Sequence, residues 1–337
     1  MMEGKPVRLT ATEVAQIWAQ YMNDSASVCV LSYFLEKAED MDIKPVIELA
    51  LHLSQEHLRL LSDIFGKEGF ALPYGFKPEE DVEFTAPKLY SDAFVLHFIH
   101  QMAKIGLTSY SESVSSAVRA DITDYYSTCL DETMKLFQIS KDVLLSKGLF
   151  VRSPYIPHTE QIEMVKKQGF MWDILGEKRP LAALEIANLY ANIQRNAIGA
   201  ATLTGFSQVA QSKEVKHFFI RGIEIAKKHI KLFAGKLEES DLAAPMTWQA
   251  EITSSTTATF SDKIMMYFTS MLISLSIGYY GIGLAQSPRI DIGALYNRLS
   301  GEIQLYSEDG ANLMIANEWL EQAPLAADRD ELIKRNK

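Results

Sequence analysis

Two histidines stand in matched surroundings. His57 lies in a helix-forming stretch, Ile47 to Glu68, followed by Phe70-Ala71-Leu72-Pro73; His229 lies in Ile220 to Glu239, followed by Leu242-Ala243-Ala244-Pro245. The histidines are 172 positions apart, and so are Pro73 and Pro245. Near each histidine, other stretches offer polar groups at their midpoints: Asp24 and Glu132 in the first copy, Asn196 and Glu302 in the second. Imidazole with carboxylate is donor chemistry for Fe, Mn or Zn, with a neutral histidine nitrogen and ionised glutamate oxygens as ligands. An open coordination position on such an ion would allow oxygen or peroxide chemistry. The same residue types can instead form a buried hydrogen-bonded network that fixes helix register.

The spacing limits the metal reading. A di-iron site takes glutamates from two helices and Glu-x-x-His from two others. Here Ser54 and Ala226 stand three residues before the two histidines, so neither has that glutamate. Glu214 and His217 have the spacing, but their first-copy counterparts are Asp42 and Pro45, so the match reads as chance. One histidine with one or two carboxylates makes at most a mononuclear site. His97 and His100, three apart, could share a ligand on one helix face, but Tyr267 and Ser270 replace them in the second copy.

Helices must carry these residues. Thr10 and Glu13 form a capping-box pair, and Val14, Ile17, Tyr21, Val28, Leu31 and Leu35 then keep a helical period. Pro45 opens a second helix that buries Ile47, Leu51, Leu58, Leu61 and Phe65 and stops at Gly66 to Gly69. The connection from Phe70 to Tyr90 is rich in proline and acid, and Ser240 to Phe260 is its copy. About 20 extended residues reach roughly 60 to 70 Å, whereas a helix of about 24 residues is only about 36 Å long. Such a connection can cross a whole bundle, as the crossover of ferritin-like folds does. A third helix starts at Ser91-Asp92 and again at Ser261-Asp262, offering His97 and Gln101 in one copy and Tyr267 and Met271 in the other. In the fourth, Arg119, Asp121, Tyr126 and Glu132 recur as Arg289, Asp291, Tyr296 and Glu302. Tyr110, Tyr280, Tyr126 and Tyr296 read as core aromatics with bonded hydroxyls. Midpoints of bundled helices lie at one level, so the polar groups are expected to converge.

Composition bounds the rest. The chain has 337 residues, 47% hydrophobic and 23% charged, enough for two folded units. A net charge of −10 with no basic stripe argues against a nucleic-acid partner. Two unmatched cysteines, Cys29 and Cys129, fit a reducing compartment, and Met1 to Lys5 lacks the apolar core of a signal peptide. Ile264 to Ala285 carries no formal charge and could cross a bilayer by length. Its copy, Phe94 to Ser115, holds His97, His100, Gln101, Lys104 and Glu112, so both are expected to be buried bundle helices and no membrane is expected. No strand precedes Gly278, Gly281 and Gly283, so they read as close helix packing, and no nucleotide cofactor is expected. Gly148 to Pro180, with a short amphipathic piece from Glu160 to Gln168, reads as a linker, and Asp328 to Lys337 as a charged, fraying tail.

Phe206-Ser207-Gln208-Val209-Ala210, Lys228-His229-Ile230, Phe260-Ser261-Asp262-Lys263, Arg289 with Asp291, and Asp309-Gly310 with Trp319-Leu320-Glu321 resemble an uncharacterised family of spore-forming Gram-positive bacteria. The resemblance covers essentially the whole chain. It implies a tandem ferritin-like fold and a cytoplasmic or spore-associated setting, and it supplies no activity or ligand set.

The expectation is therefore an all-α protein of two tandem ferritin-like four-helix bundles, each with a long crossover between its second and third helices. The first spans 8–147, a linker 148–180, and the second 181–325. The leading functional reading is a transition metal at mid-bundle, held by His57, Glu132 and Asp24 and by His229, Glu302 and Asn196. The alternative is a non-catalytic structural or interaction protein with a metal-free polar core; a homo-oligomer fits either.

Overall fold

The computed structural model describes residues 7–166, 169–172 and 179–335. Residues 1–6, residues 167–168 and 173–178 of the expected linker, and residues 336–337 lie outside them.

The chain is all-α and built twice. The first copy contains α1 (Ala11–Lys37), α2 (Lys44–Glu68), the single-turn α3 (Pro78–Asp81), α4 (Asp92–Ser116) and α5 (Ala120–Ser146). A short α6 (Gly169–Trp172) precedes the second copy, which consists of α7 (Ala183–Val209), α8 (Lys213–Glu238), α9 (Asp262–Ala285) and α10 (Ile290–Ala316). An exposed α11 (Arg329–Arg335) ends the chain, where a fraying tail was expected. Residues 160–166 are exposed and non-helical, so the amphipathic piece expected there does not form a helix among the described residues.

The helix starts follow from local chemistry. The Thr10 side chain accepts from the Glu13 backbone, and the Glu13 carboxylate accepts from the Thr10 amide, closing the capping box. Glu13 is fully buried because its other oxygen caps the next element as well, accepting from Val118 N and Arg119 N at 2.9 Å each. Glu185 repeats this on Ala182 N and Arg289 N. Ser91 and Ser261 cap α4 and α9. The next residue, Asp92 or Asp262, accepts two backbone amides from the turn before α2 or α8. The repeated Arg-x-Asp is structural too. Arg119 joins Asp121 to Glu68, and Arg289 joins Asp291 to Glu239, tying the last turn of the second helix to the first turn of the fourth.

The long connections pair with each other between the copies. Val82 bridges Phe260 and Tyr90 bridges Ile252, both antiparallel. The Ser91 hydroxyl donates to Glu251 of the other copy, and the Ser261 hydroxyl to Asp81. The chain leaving each bundle also crosses to the other: Arg152 O accepts from Tyr190 at 2.8 Å, while Glu321 accepts from Tyr74 N and Gly75 N. Apolar side chains of both copies form one shared core, and a smaller cluster around Ile17, Leu61, Phe65 and Ile122 belongs to the first copy alone.

Two expectations need correction. The α9 helix is long and apolar enough to cross a membrane, yet only 28% of its most apolar stretch is buried, so it is a half-covered helix and not a buried one. Of its three glycines only Gly283 serves close packing, since an added Cβ would strike the Tyr296 ring; Gly278 and Gly281 have open space.

Candidate functional site

In the first copy, α1, α2 and α5 bring Asp24, His57 and Glu132 together as expected. His57 is 3% exposed. Its Nδ1 lies 3.3 Å from Asp24 Oδ2, off the axis of a good hydrogen bond, so the attraction there is one of charge. Its Nε2 lies 3.4 Å from Glu132 Oε2. Burial alone would push the imidazole toward neutrality; the Asp24 carboxylate, with Cys129 behind it, reverses this and raises the His57 pKa to about 11. At neutral pH the group is an imidazolium held between two carboxylates.

The second copy repeats the scaffold with a different electrostatic outcome. Asn196, in the place of Asp24, does not reach the histidine. Its amide donates at 2.8 Å to Tyr280 Oη and to Asn192 O. Tyr280 Oη lies 3.0 Å from His229 Nδ1, and His229 Nε2 lies 3.3 Å from Glu302 Oε2. The ionised Glu302 can only accept, so a neutral ring keeps its hydrogen on Nε2, facing Glu302, and Nδ1 accepts from the Tyr280 hydroxyl. Burial lowers the His229 pKa, with Glu302 pulling weakly the other way. Lys228 pairs with Glu302 at 2.8 Å, so that carboxylate is already neutralised.

Sequence reasoning missed the tyrosine. The third helix was expected to contribute His97 and Gln101, or Tyr267 and Met271. It contributes Tyr110 and Tyr280, whose rings lie 5.8 Å from His57 and His229. Their recurrence 170 positions apart, the offset also shown by Glu132 and Glu302, was the available signal. His97 packs on Trp248 of the other copy, and Tyr267 donates to Asn23 at 2.6 Å. Glu214 and His217 are exposed, as a chance match would be. Both cysteines are buried, and neither forms a disulfide.

A small cavity adjoins each histidine at equivalent positions. In the first copy, about 70 Å³ is lined by Asp24, Ser54, His57, Tyr110 and Thr133 among apolar neighbours; in the second, about 80 Å³ by Asn196, Ala226, His229, Thr269 and Ile303. The serine-to-alanine and threonine-to-isoleucine changes make the second far more apolar.

The donor sets do not fit a metal ion. Asp24 and Glu132 face opposite ring nitrogens of His57, so no single point is near an imidazole lone pair and both carboxylates. Around His229, Asn196 is replaced at the ring by Tyr280, and Glu302 is paired with lysine. Among the described residues, no cluster of three or more His, Cys, Asp or Glu is arranged to hold a metal.

A candidate spore coat protein from Bacillus halodurans C-125 is similar to the chain at 17% identity, covering 45% of this chain and 98% of that one with a TM-score of 0.40. No curated protein matches. The model of one family, described as a protein of unknown function (DUF3231), matches twice in succession, over residues 1–162 and 169–332, and the chain belongs to that family.

Proposed function

We propose that this is a non-catalytic scaffold or binding protein, built on a pair of ferritin-like bundles whose mid-bundle histidines are structural. The observation that carries this is that an oxygen faces each of the four ring nitrogens: Asp24, by charge alone, and Glu132 at His57, and Tyr280 and Glu302 at His229. A metal ligand or general base needs a lone pair directed at its target. His57 as an imidazolium has none, and the lone pair of His229 is taken by a tyrosine proton. In this reading Glu132, Asp24, Glu302 and Asn196 orient and neutralise, and coordinate nothing.

The test is metal analysis of the untagged full chain, purified with Fe, Mn or Zn supplied, alongside His57→Ala and His229→Ala. The expected result is sub-stoichiometric metal in all three proteins and a fall in melting temperature for both variants. Each variant leaves buried polar partners unsatisfied, an effect of about 1–3 kcal/mol or more. Stoichiometric metal in the wild type that either substitution removes would restore the metal site and sink the scaffold reading.

A further inference from the structure

A cleft runs between the two copies. Its outer part, about 530 Å³, lies between α4, α7 and the segment that follows α5; its inner end is the narrow cavity beside His229. Gln101 and Ile198 line both parts, so they adjoin. The chain holds 43 acidic against 33 basic residues, yet neither part has an Asp or Glu in its walls. The charged side chains there are Lys104, Arg152 and Arg195, all cations.

Two of these are half-buried and uncompensated. Among the described residues, neither Lys104 nor Arg195 has a carboxylate within ion-pair distance. The Arg195 guanidinium lies on the Tyr279 ring, 3.4 Å from its centroid, and its Nε is buried with no hydrogen-bond partner. Burial, and then the positive charge of Arg195, draw the Lys104 ammonium below the ordinary lysine range, which places the two cations within each other's field. Isolated charge removed from water is strongly unfavourable unless an opposite charge meets it, and two adjacent like charges add to that cost.

A third polar group faces the same space. His100 is 4% exposed, and it lines the outer cleft. Ser140 gives its own proton to Phe137 O, so it accepts from His100 Nδ1 at 2.9 Å. Nε2 is left as a buried acceptor with no partner. Burial holds this ring neutral, its pKa lowered to about 3.

We propose that the cleft binds an amphipathic organic carboxylate, its head between Lys104 and Arg195 and its hydrocarbon body in the apolar cavity walled by α7, α8, α9 and α10. A hydroxyl or amide N–H on the outer part of the ligand would donate to His100 Nε2. A carboxylate is favoured over a phosphate ester because both cations sit in mid-helix, where no free backbone N–H groups are available to help cradle a phosphate. Behind the charged mouth the walls are almost wholly apolar, which selects a hydrocarbon body over a sugar or a free inorganic ion. This site is independent of whether the mid-bundle histidines are structural.

The probe is sodium decanoate, below its micelle concentration, titrated calorimetrically into the full chain with a thermal-shift assay in parallel. Hexanoate, octanoate, decyltrimethylammonium and inorganic phosphate are the comparison ligands. Decanoate is expected to bind saturably and raise the melting temperature. Affinity should tighten about fourfold per methylene from hexanoate until the cavity is full. Lys104→Met and Arg195→Met should each weaken binding about tenfold or more; Lys104→Met should do so without lowering the melting temperature of the free protein, since it removes a buried charge that has no carboxylate partner. Gly199→Leu fills the cavity while keeping both cations, because a Cβ there meets nothing within 4 Å, and it should abolish decanoate binding. The proposal fails if decanoate does not bind saturably, if the ammonium analogue binds equally, or if the charge-removing variants bind decanoate as the wild type does. Phosphate binding as tightly as decanoate, with no dependence on chain length, would also overturn it.

Discussion

Asp24 and Asn196 occupy matched positions and set opposite charge states on matched histidines. A carboxylate 3.3 Å from Nδ1 makes His57 an imidazolium; an amide that reaches Tyr280 and Asn192 but not the ring leaves His229 neutral. Asp24→Asn should therefore bring the His57 pKa down from about 11 to below the ordinary histidine range, read by NMR titration of the ring protons. A His57 pKa that stays high in that variant would assign the charge to another neighbour. The two rings also pull stability in opposite directions with pH. Above about 6.5 an unfolded histidine has lost its proton while folded His57 keeps it, so its contribution is complete below that pH and is lost as pH rises toward 11. The stability difference between wild type and His57→Gln should shrink across that window in urea melts. His229, His97 and His100 behave oppositely, being held neutral in the fold. Their contributions are complete above about 6.5 and are lost as pH falls, through a window reaching about 4 for His97 and about 3 for His100. His229→Gln should flatten part of the acid side of the stability curve.

Between elements, the contacts that define the molecule are made by the two long connections. Tyr90, on the first connection, is 2% exposed, and its hydroxyl donates to Thr202 O of α7 at 2.7 Å. It fits because residue 205 is glycine: a Cβ there would overlap the hydroxyl and the ring. Gly205→Ala should lower stability by about 1–3 kcal/mol through overpacking, despite alanine's better helix propensity. Tyr90→Phe should lose about 1 kcal/mol from its hydrogen bond. In Tyr90→Phe the tyrosine hydroxyl is gone, so the Gly205→Ala penalty measured on that background should be smaller. Equal penalties in both backgrounds, in a double-mutant cycle of denaturant melts, would show that the clash is not with the Tyr90 hydroxyl.

At the scale of the whole molecule, the copies are not two beads on a string. Antiparallel bridges, exchanged serine–carboxylate bonds and the crossing of each bundle's exit segment onto its partner join them into one core. Unfolding should accordingly be a single cooperative transition, with calorimetric and van't Hoff enthalpies equal. Residues 1–162 expressed alone should expose the faces of Tyr90 and Phe94 and fail to give a sharp melt. Two resolved transitions, or a well-folded isolated half, would show that each bundle carries its own stability.

The sequence by itself determined the helices, their doubling and the meeting of His57 with Glu132 and Asp24. These follow from capping residues, apolar periods and constant offsets, all of which are local or repeated along the chain. It could not determine which side of each imidazole its partners approach, since a one-dimensional spacing fixes the level on a helix but not the azimuth between helices. Nor could it show that Tyr280 would stand where a carboxylate was expected, or that the connections, while crossing their own bundles, would also pair with each other between copies. The gathering of Lys104 and Arg195 against a cleft without acids arises only when α4 of one copy is laid against α7 of the other. Charges 91 positions apart acquire a common field through tertiary packing alone.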